Sequence, residues 1–333
     1  MVYNGINNIT CRERKPVPNA PAVIQNDTSG DKTIIGEISK DILEKPKKTF
    51  PKVNVVSNVD IGDAQNPNLV PDYVVDIYNH LTDLESHSII KPGFLQDHPV
   101  TPLMRAVLLD WLVQVHIRFS LLQDTLQLTT GILDRVLQAT DNVVTRDDLQ
   151  LLGITAAFIA SKFEEVCPPD LDDLVYLAAG CYNIADVLQM ERQVLATLRW
   201  NVSFPLPIQF LRRYSKVGHA TAQQHTLAKF LEDLSLQEYS LCHQRPSMLA
   251  AAALHLSQKM LPGDTTLCTD LTQYSDYTED ELRHLVDQLA SVLEACPSSK
   301  LMAVREKYRC NSILTYLQIK KILYSKAYTY NVR

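Results

Sequence analysis

Apolar positions recur at helical spacing from residue 71 onward, and no stretch alternates apolar and polar residues as a half-buried strand would. The first amphipathic segment, PDYVVDIYNHLTDLES at about 71–86, opens on a proline and sets Val74, Ile77, Leu81 and Leu84 on one face. Further segments follow at about 101–119, 123–139, 146–166, 170–179 and 184–199. They are separated by SLLQD, TDNVVTRDD, VCPPD and GCYN, each of which offers Asp, Asn, Gly or Pro as a stop or an N-cap. RWNVSFPLP (199–207) breaks the helical period with β-branched and aromatic residues and two prolines, as a linker would. A second run has segments at about 207–216, 222–241, 247–260, 269–275 and 279–295, and a last helical stretch covers about 300–326. The pattern predicts an all-α chain.

The two runs resemble each other at an offset of about 95 residues. LGITAAFIASK (152–162) parallels MLAAAALHLSQK (248–259), and DLVYLAAGCYNIADVLQMERQVLATL (173–198) parallels DLTQYSDYTEDELRHLVDQLASVL (270–293). Two copies of one five-helix domain are expected. In each, an Ala-rich helix (Ala156, Ala157, Ala160; Ala250 to Ala253) would let its neighbours approach closely.

TPLMRAVLLDWLVQVH (101–116) is apolar on nearly every side and still carries Arg105 and Asp110. At about 100° per residue, Ala106, Leu109, Val113 and Ile117 form one stripe. Met104, Val107, Leu108, Trp111 and Val115 form another. Two readings stand: both stripes buried in one domain, or one stripe left as a groove for a partner's apolar side chains, a role that suits Met and Trp. An unpaired buried charge costs several kcal/mol, so Arg105 needs a carboxylate from the next helix, and Asp134 in GILDRVLQ is the best placed.

Composition changes at about residue 70. Residues 1–70 hold six of the 17 prolines, two aromatics (Tyr3, Phe50), nine Lys/Arg and eight Asp/Glu, too little apolar area to offset chain entropy. A disordered tail is expected there. From residue 71 the chain has 23 Lys/Arg against 30 Asp/Glu, and the net charge of −6 offers no general attraction to nucleic acid or anionic membrane. The seven cysteines form no CxxC pair and no metal spacing, so they read as reduced, buried thiols of an intracellular chain. No apolar N-terminal run or 18-residue apolar window predicts a signal peptide or a membrane span.

Catalytic signatures are missing: there is no phosphate-binding glycine loop, kinase motif or HExxH, and the nine histidines are scattered. Glu164-Glu165 and Asp172-Asp173 are adjacent in sequence, so on a helix each pair points about 100° apart and forms no dyad. The chain is expected to be no enzyme and to hold neither metal nor cofactor.

The run MRAVLLDWLVQVH, LLQDTLQLTTGILDRVLQ and LQLLGITAAFIASKFEE resembles the first box of the cyclins. FLRRYSKVG, QQHTLAKFLEDLSL and PSMLAAAALHLSQKML resemble the second box of B-type, G2/mitotic cyclins. The resemblance covers about 71–325. It implies a tail (1–70), an N-terminal helix and connector (71–100), an N-terminal box (101–204), a C-terminal box (205–297) and a C-terminal helical extension (298–333).

It also implies a non-catalytic subunit that binds a mitotic cyclin-dependent kinase and holds the kinase's mobile αC helix in its active position. Carried over, the kinase-binding residues are Lys162, Phe163 and Glu165 in ASKFEE, Glu191 and Leu195 in QMERQVL, and Tyr73 and Ile77 in the first segment. A groove for Arg-x-Leu substrates and inhibitors would use Met104, Val107, Leu108, Trp111, Gln114, Leu149 and Gln150, braced by the Arg105–Asp134 pair. Neither nucleic acid nor membrane is an expected partner, and nucleus and cytoplasm are the expected locations. EKPKKTFPK (44–52) reads either as a basic localisation signal or as a solvated charge cluster.

Departures from the family pattern are the lack of a destruction box in 1–70 and Arg245-Pro246-Ser247-Met248 where His-Pro-Ser-Lys is common. The alternatives are a transcriptional cyclin or a kinase-independent two-box scaffold.

Overall fold

The computed structural model describes residues 60, 62–63, 65–66, 69–139, 144–178, 181–261 and 275–309, all within one compact unit. Every regular element among them is helical. A 3-10 turn (Pro71–Tyr73) leads into α1 (Val74–His87). The first box contains α2 (Pro102–Phe119), α3 (Gln123–Ala139), α4 (Leu149–Glu164), α5 (Leu171–Leu177) and α6 (Ile184–Thr197). The second contains α7 (Pro207–Val217), α8 (Ala222–Gln237), α9 (Pro246–Met260) and α10 (Glu279–Ala295), and α11 (Ala303–Arg309) follows. Residues 269–274 of the expected 269–275 segment, 310–326 of the expected 300–326 stretch and 1–59 of the expected tail lie outside the described residues.

Helix starts follow their caps. Thr101 accepts a hydrogen bond from Met104 N and Pro102 occupies the first position of α2, so the Thr-Pro pair begins a helix. Asn183, Thr221 and Thr278 each form a reciprocal capping box, opening α6, α8 and α10. α4 and α9 are the central helices of their boxes. Ala156, Ala160 and Ala250 to Ala253 are fully buried, as the repeat requires. Gly153 lets α4 close on α2, since a Cβ there would lie 2.9 Å from the Leu108 side chain.

Some segments are shorter than their periodicity. The 146–166 segment is helical only over Leu149–Glu164, because Glu165 turns to extended backbone and its carboxylate accepts from Leu122 N at 2.7 Å. The 222–241 segment breaks at Glu238, which is extended and caps a 3-10 turn at Tyr239–Leu241. The inward face of α1 is also rotated from the expected one. Ile77 points outward, whereas Val74, Tyr78 and Leu81 pack inward and Glu85 is buried. The reason is polar: Tyr78 OH donates to Gln209 O at 3.0 Å, and Glu85 accepts from Ser247 N (2.6 Å) and Ser247 Oγ (2.7 Å).

Two further expectations are corrected. The tail assigned to 1–70 is anchored by residue 60: Asp60 is 2% exposed and accepts from Nη1 and Nη2 of Arg213. Composition could not show this, because one buried ion pair needs almost no apolar residues. The cysteines are not uniformly buried either. Cys296 is buried and Cys242 half-buried, but Cys167 and Cys181 are exposed, since both sit in the turns VCPPD and GCYN. No helix among the described residues is long and apolar enough to cross a membrane.

The boxes meet along α3 and α8 through a polar seam. Gln123 donates to Asp233 at 2.6 Å, Gln127 donates to Glu232 at 3.0 Å, and Gln127 Oε1 accepts from Ile208 N at 2.9 Å. Arg212 reaches back to Asp124 through two hydrogen bonds of 2.5 and 2.8 Å. α11 closes the seam: Tyr308 OH and Lys307 Nζ both donate to Asp233 at 2.8 Å.

Glu232 is the expensive member, fully buried with its Oε1 facing no hydrogen-bond partner. Burial pushes its carboxyl well above the ordinary range, against the lowering effect of Gln127. A carboxyl whose pKa is raised on folding contributes stability below its unfolded value, and that contribution is lost as pH climbs through the folded one. The melting temperature should therefore carry a component that falls as pH rises above the ordinary carboxylate range. In Glu232→Gln that component of the slope should vanish, which thermal melts across the range would detect. An unchanged slope would contradict a raised Glu232 carboxyl.

Candidate functional site

Two surfaces of the first box collect the predicted residues. On the first, Lys162 ends α4 and Glu191 lies on α6, and their side chains pair across the two helices. Lys162 Nζ also stands 4.1 Å from the centre of the Phe158 ring, an attraction that holds the ammonium near the surface. Its side chain remains 42% exposed, so this is a pair open to exchange; exposed pairs contribute only about 0–1 kcal/mol. Apolar side chains surround it: Phe163 is exposed beside Lys162, and Leu195 is half-buried one turn beyond Glu191.

Glu165 has a different position from its neighbours in ASKFEE. One carboxylate oxygen accepts from Leu122 N and from Thr125 Oγ1, so the residue ties the turn between α2 and α3 to the end of α4. Tyr73 and Ile77 are exposed near the start of α1 and on its outer face. α1 itself is held on the second box, through Gln209 and Ser247. Sequence reasoning missed Val166 and Tyr176, 98% and 75% exposed, which enlarge the apolar area at the end of α4 and on α5. Val166 in VCPPD has no periodic context to mark it. Tyr176 falls in a helix of only two turns, too short for a face to be assigned.

The second surface is the outer edge of α2 with the start of α4. Val107 and Gln114 are exposed, Met104, Trp111 and Gln150 are half-buried, and Leu108 and Leu149 are buried as a floor. Leu103, four residues before Val107 and 70% exposed, extends this apolar edge and was missed. The opposite side of α2 packs inward through Ala106, Leu109, Leu112 and Val113, while Ile117, expected on that stripe, is exposed at the last turn.

The charges of α2 hold the helix from within. Arg105 is fully buried and forms two hydrogen bonds with Asp134, at 2.6 and 2.7 Å, and a third with Leu236 O of α8 at 2.9 Å. Burial works against its charge, and the Asp134 carboxylate more than offsets this, raising the guanidinium pKa. Asp110 accepts from Gln114, from Gln237 of α8 and from Ala303 N at the start of α11, so it links three elements. His116 is buried, which lowers its pKa to about 4, and its neutral ring contacts Leu122 O at 2.9 Å through Nε2.

A cleft of about 1200 Å³ lies between α3, α4 and α6, lined in part by Tyr182, Met190 and Arg199. A smaller cavity of about 100 Å³ lies among α1, α3 and α9, beside Glu85, Arg105 and Asp134. Among the described residues no three His, Cys, Asp or Glu side chains converge as a metal site. Both surfaces set charged or polar groups beside exposed apolar side chains.

Known proteins share this organisation. The profile "Cyclin, N-terminal domain" matches residues 76–203 and "Cyclin, C-terminal domain" matches residues 205–321. The G2/mitotic-specific cyclin-B of Spisula solidissima is 43% identical over 287 residues, covering 86% of this chain and 65% of that protein. The G2/mitotic-specific cyclin-B2 of Gallus gallus is 39% identical over 317 residues, covering 92% of this chain and 78% of that protein. The chain thus spans slightly less than two thirds of the Spisula relative and over three quarters of the chicken one. The crystal structure of a viral cyclin from herpesvirus saimiri superposes with a TM-score of 0.54 at 21% identity, covering 64% of this chain and 97% of that one, which speaks for the fold. With both of its domains matched and relatives this similar along most of its length, the chain belongs to the cyclin family.

Proposed function

We propose that this chain is the regulatory, non-catalytic subunit of a mitotic cyclin-dependent kinase, acting in the nucleus and cytoplasm to control entry into mitosis. The observation that carries the reading is the Lys162–Glu191 pair, its lysine partly open to solvent, with exposed Phe163 next in sequence and exposed Val166 and Tyr176 beyond the end of α4 and on α5. An incoming kinase helix can take over both charges while burying apolar side chains. The chain loses little in the exchange, because the internal pair is worth little to it. Seating the kinase's αC helix on this surface would hold it in the active position, and the catalytic groups would all be the kinase's own. The G2/mitotic-specific relatives favour the mitotic kinase over a transcriptional one.

The test is activation of a monomeric, activation-loop-phosphorylated mitotic cyclin-dependent kinase, followed by phosphorylation of a histone peptide. Lys162→Glu/Glu191→Lys is the informative variant: it preserves the internal pair, and with it the fold, while inverting the charges offered to a partner. Wild type should activate strongly, and the swap should weaken kinase binding by about 30-fold or more, the loss expected when a desolvated interfacial pair is broken. A folded wild-type chain that fails to activate would overturn the reading.

The edge of α2 supports a second role, recruitment of Arg-x-Leu segments in substrates and inhibitors. Leu108 and Leu149 form an apolar floor, with Met104, Val107 and Trp111 as walls and Gln114 and Gln150 as polar rim. Val107 is 53% exposed, so Val107→Asp should leave the fold intact. The substitution should reduce affinity for an Arg-x-Leu peptide roughly tenfold or more, measured by fluorescence polarisation. Activity on a short peptide without the motif should stay unchanged. Equal affinity in the two proteins would remove the groove from the account.

A further inference from the structure

The described residues between 60 and 73 link the second box to the start of α1. Backbone hydrogen bonds close successive turns: Asp63 N to Asp60 O (3.1 Å), Asn66 N to Asp63 O (2.8 Å), Leu69 N to Asn66 O (3.1 Å) and Tyr73 N to Val70 O (3.0 Å). Val70, at the joint with the 3-10 turn, has φ of 40°, a conformation that a β-branched residue adopts only where its surroundings impose it. Those surroundings are two acidic contacts on one side and α1 on the other.

Both acids land on α7. Asp60 accepts from Arg213 Nη1 and Nη2 at 2.5 and 2.7 Å, and Asp63 pairs with Lys216. Arg213 also lies over the ring of Tyr78 of α1, 5.8 Å from its centre. Tyr78 in turn bonds Gln209 O and meets Phe210 edge-on at 6.1 Å. Gln209, Phe210, Arg213 and Lys216 lie at helical spacing on one face of α7. The strap, α1 and the first helix of the second box therefore converge on a single guanidinium.

The two acids are not equivalent. Asp60 and Arg213 are both nearly excluded from water, so removing one leaves an uncompensated buried charge. The Asp63–Lys216 pair is part-exposed and is worth little. Arg213 without Asp60 must seek water or another anion, and in moving it leaves the face of Tyr78.

We propose that Asp60 is a positioning residue for kinase binding: through Arg213 and Tyr78 it sets the pose of α1 and of the turn before it, from which Ile77 and Tyr73 face solvent. The inference rests on the kinase-binding reading and extends it, because it places control of one contact helix in a segment before the family-matched domains, which begin at residue 76. The partner is the same kinase, met by α1 as well as by α4 and α6.

The test uses the full chain as wild type, Asp60→Ala, Asp63→Ala and the charge exchange Asp60→Arg/Arg213→Asp. Amide hydrogen exchange is followed in the unbound chain, and the kinase dissociation constant is measured by calorimetry. Asp60→Ala should speed exchange across 74–87 about tenfold while α8 to α10 stay protected, and should weaken kinase binding roughly tenfold. Asp63→Ala should match wild type, and the charge exchange should recover at least part of both losses. The proposal is overturned if Asp60→Ala leaves 74–87 exchange and kinase affinity unchanged. It is equally overturned if exchange rises throughout the second box, which would make the residue merely structural. A wild-type chain that binds no kinase would instead sink the functional reading. Should Asp60→Ala fail to fold, Asp60→Asn, which keeps an acceptor but not the charge, gives the same comparison.

Discussion

Arg105 carries a full positive charge in the middle of a helix buried on most of its circumference, and the architecture of the first box follows from how that charge is held. Two hydrogen bonds to Asp134 on α3 and one to Leu236 O on α8 use the guanidinium's planar fork in three directions. α2 is thereby fixed in rotation as well as position. With Ala106, Leu109, Leu112 and Val113 turned inward, its remaining edge has only one place to go, the surface beside α4. The exposed Val107 and half-buried Met104 and Trp111 are the geometric remainder of burying Arg105. A hydrophobic replacement could hold α2 as firmly, but oil against oil permits rotation, whereas a bidentate ion pair does not.

The same logic repeats at the seam between the boxes. Gln123, Gln127, Asp124, Asp110, Glu232 and Asp233 form a polar layer where the two boxes meet, beside an apolar core that runs through both, and each has a partner on another element. Such layers contribute modestly to stability and strongly to register, because a slip by one turn would leave several buried groups unpaired. Glu232 marks the cost, a fully buried acid whose carboxyl burial pushes well above the ordinary range where a single amide donor reaches it. α11 completes the layer, its described residues fixed by Asp110, Asp233 and the Phe230 ring.

Much of this was legible in the chain. Helical periodicity and capping residues located the described helices, and the repeat predicted two boxes with alanine-rich centres. The neighbour of Arg105 could be named because a buried guanidinium demands a carboxylate and the next helix offers a well-placed one. What escaped had a common cause: polar contacts between distant segments leave no periodic trace. Tyr78 and Glu85 rotate α1 away from its most apolar face because Gln209 and Ser247, more than 100 residues on, supply their partners. Asp60 lies in a stretch whose composition reads as unstructured, and its anchor is 153 residues away. Glu165 sits in a motif that suggests an outward role, while its carboxylate turns back to Thr125 and Leu122. The exposed apolar area at the end of α4 and on α5 was only partly visible, because Val166 and Tyr176 lie where helices end.

The central claim is that the Arg105–Asp134 pair locks α2 and through it the groove. Its most direct measurement is a denaturation comparison of wild type, Asp134→Ala and Arg105→Met/Asp134→Leu. Asp134→Ala should cost about 3–5 kcal/mol by stranding the guanidinium, and the apolar double variant should recover most of that. The recovered protein should still bind an Arg-x-Leu peptide more weakly than wild type, because stability returns without the fixed rotation of α2. Loss of less than about 0.5 kcal/mol in Asp134→Ala, the range of a surface substitution, would contradict the claim.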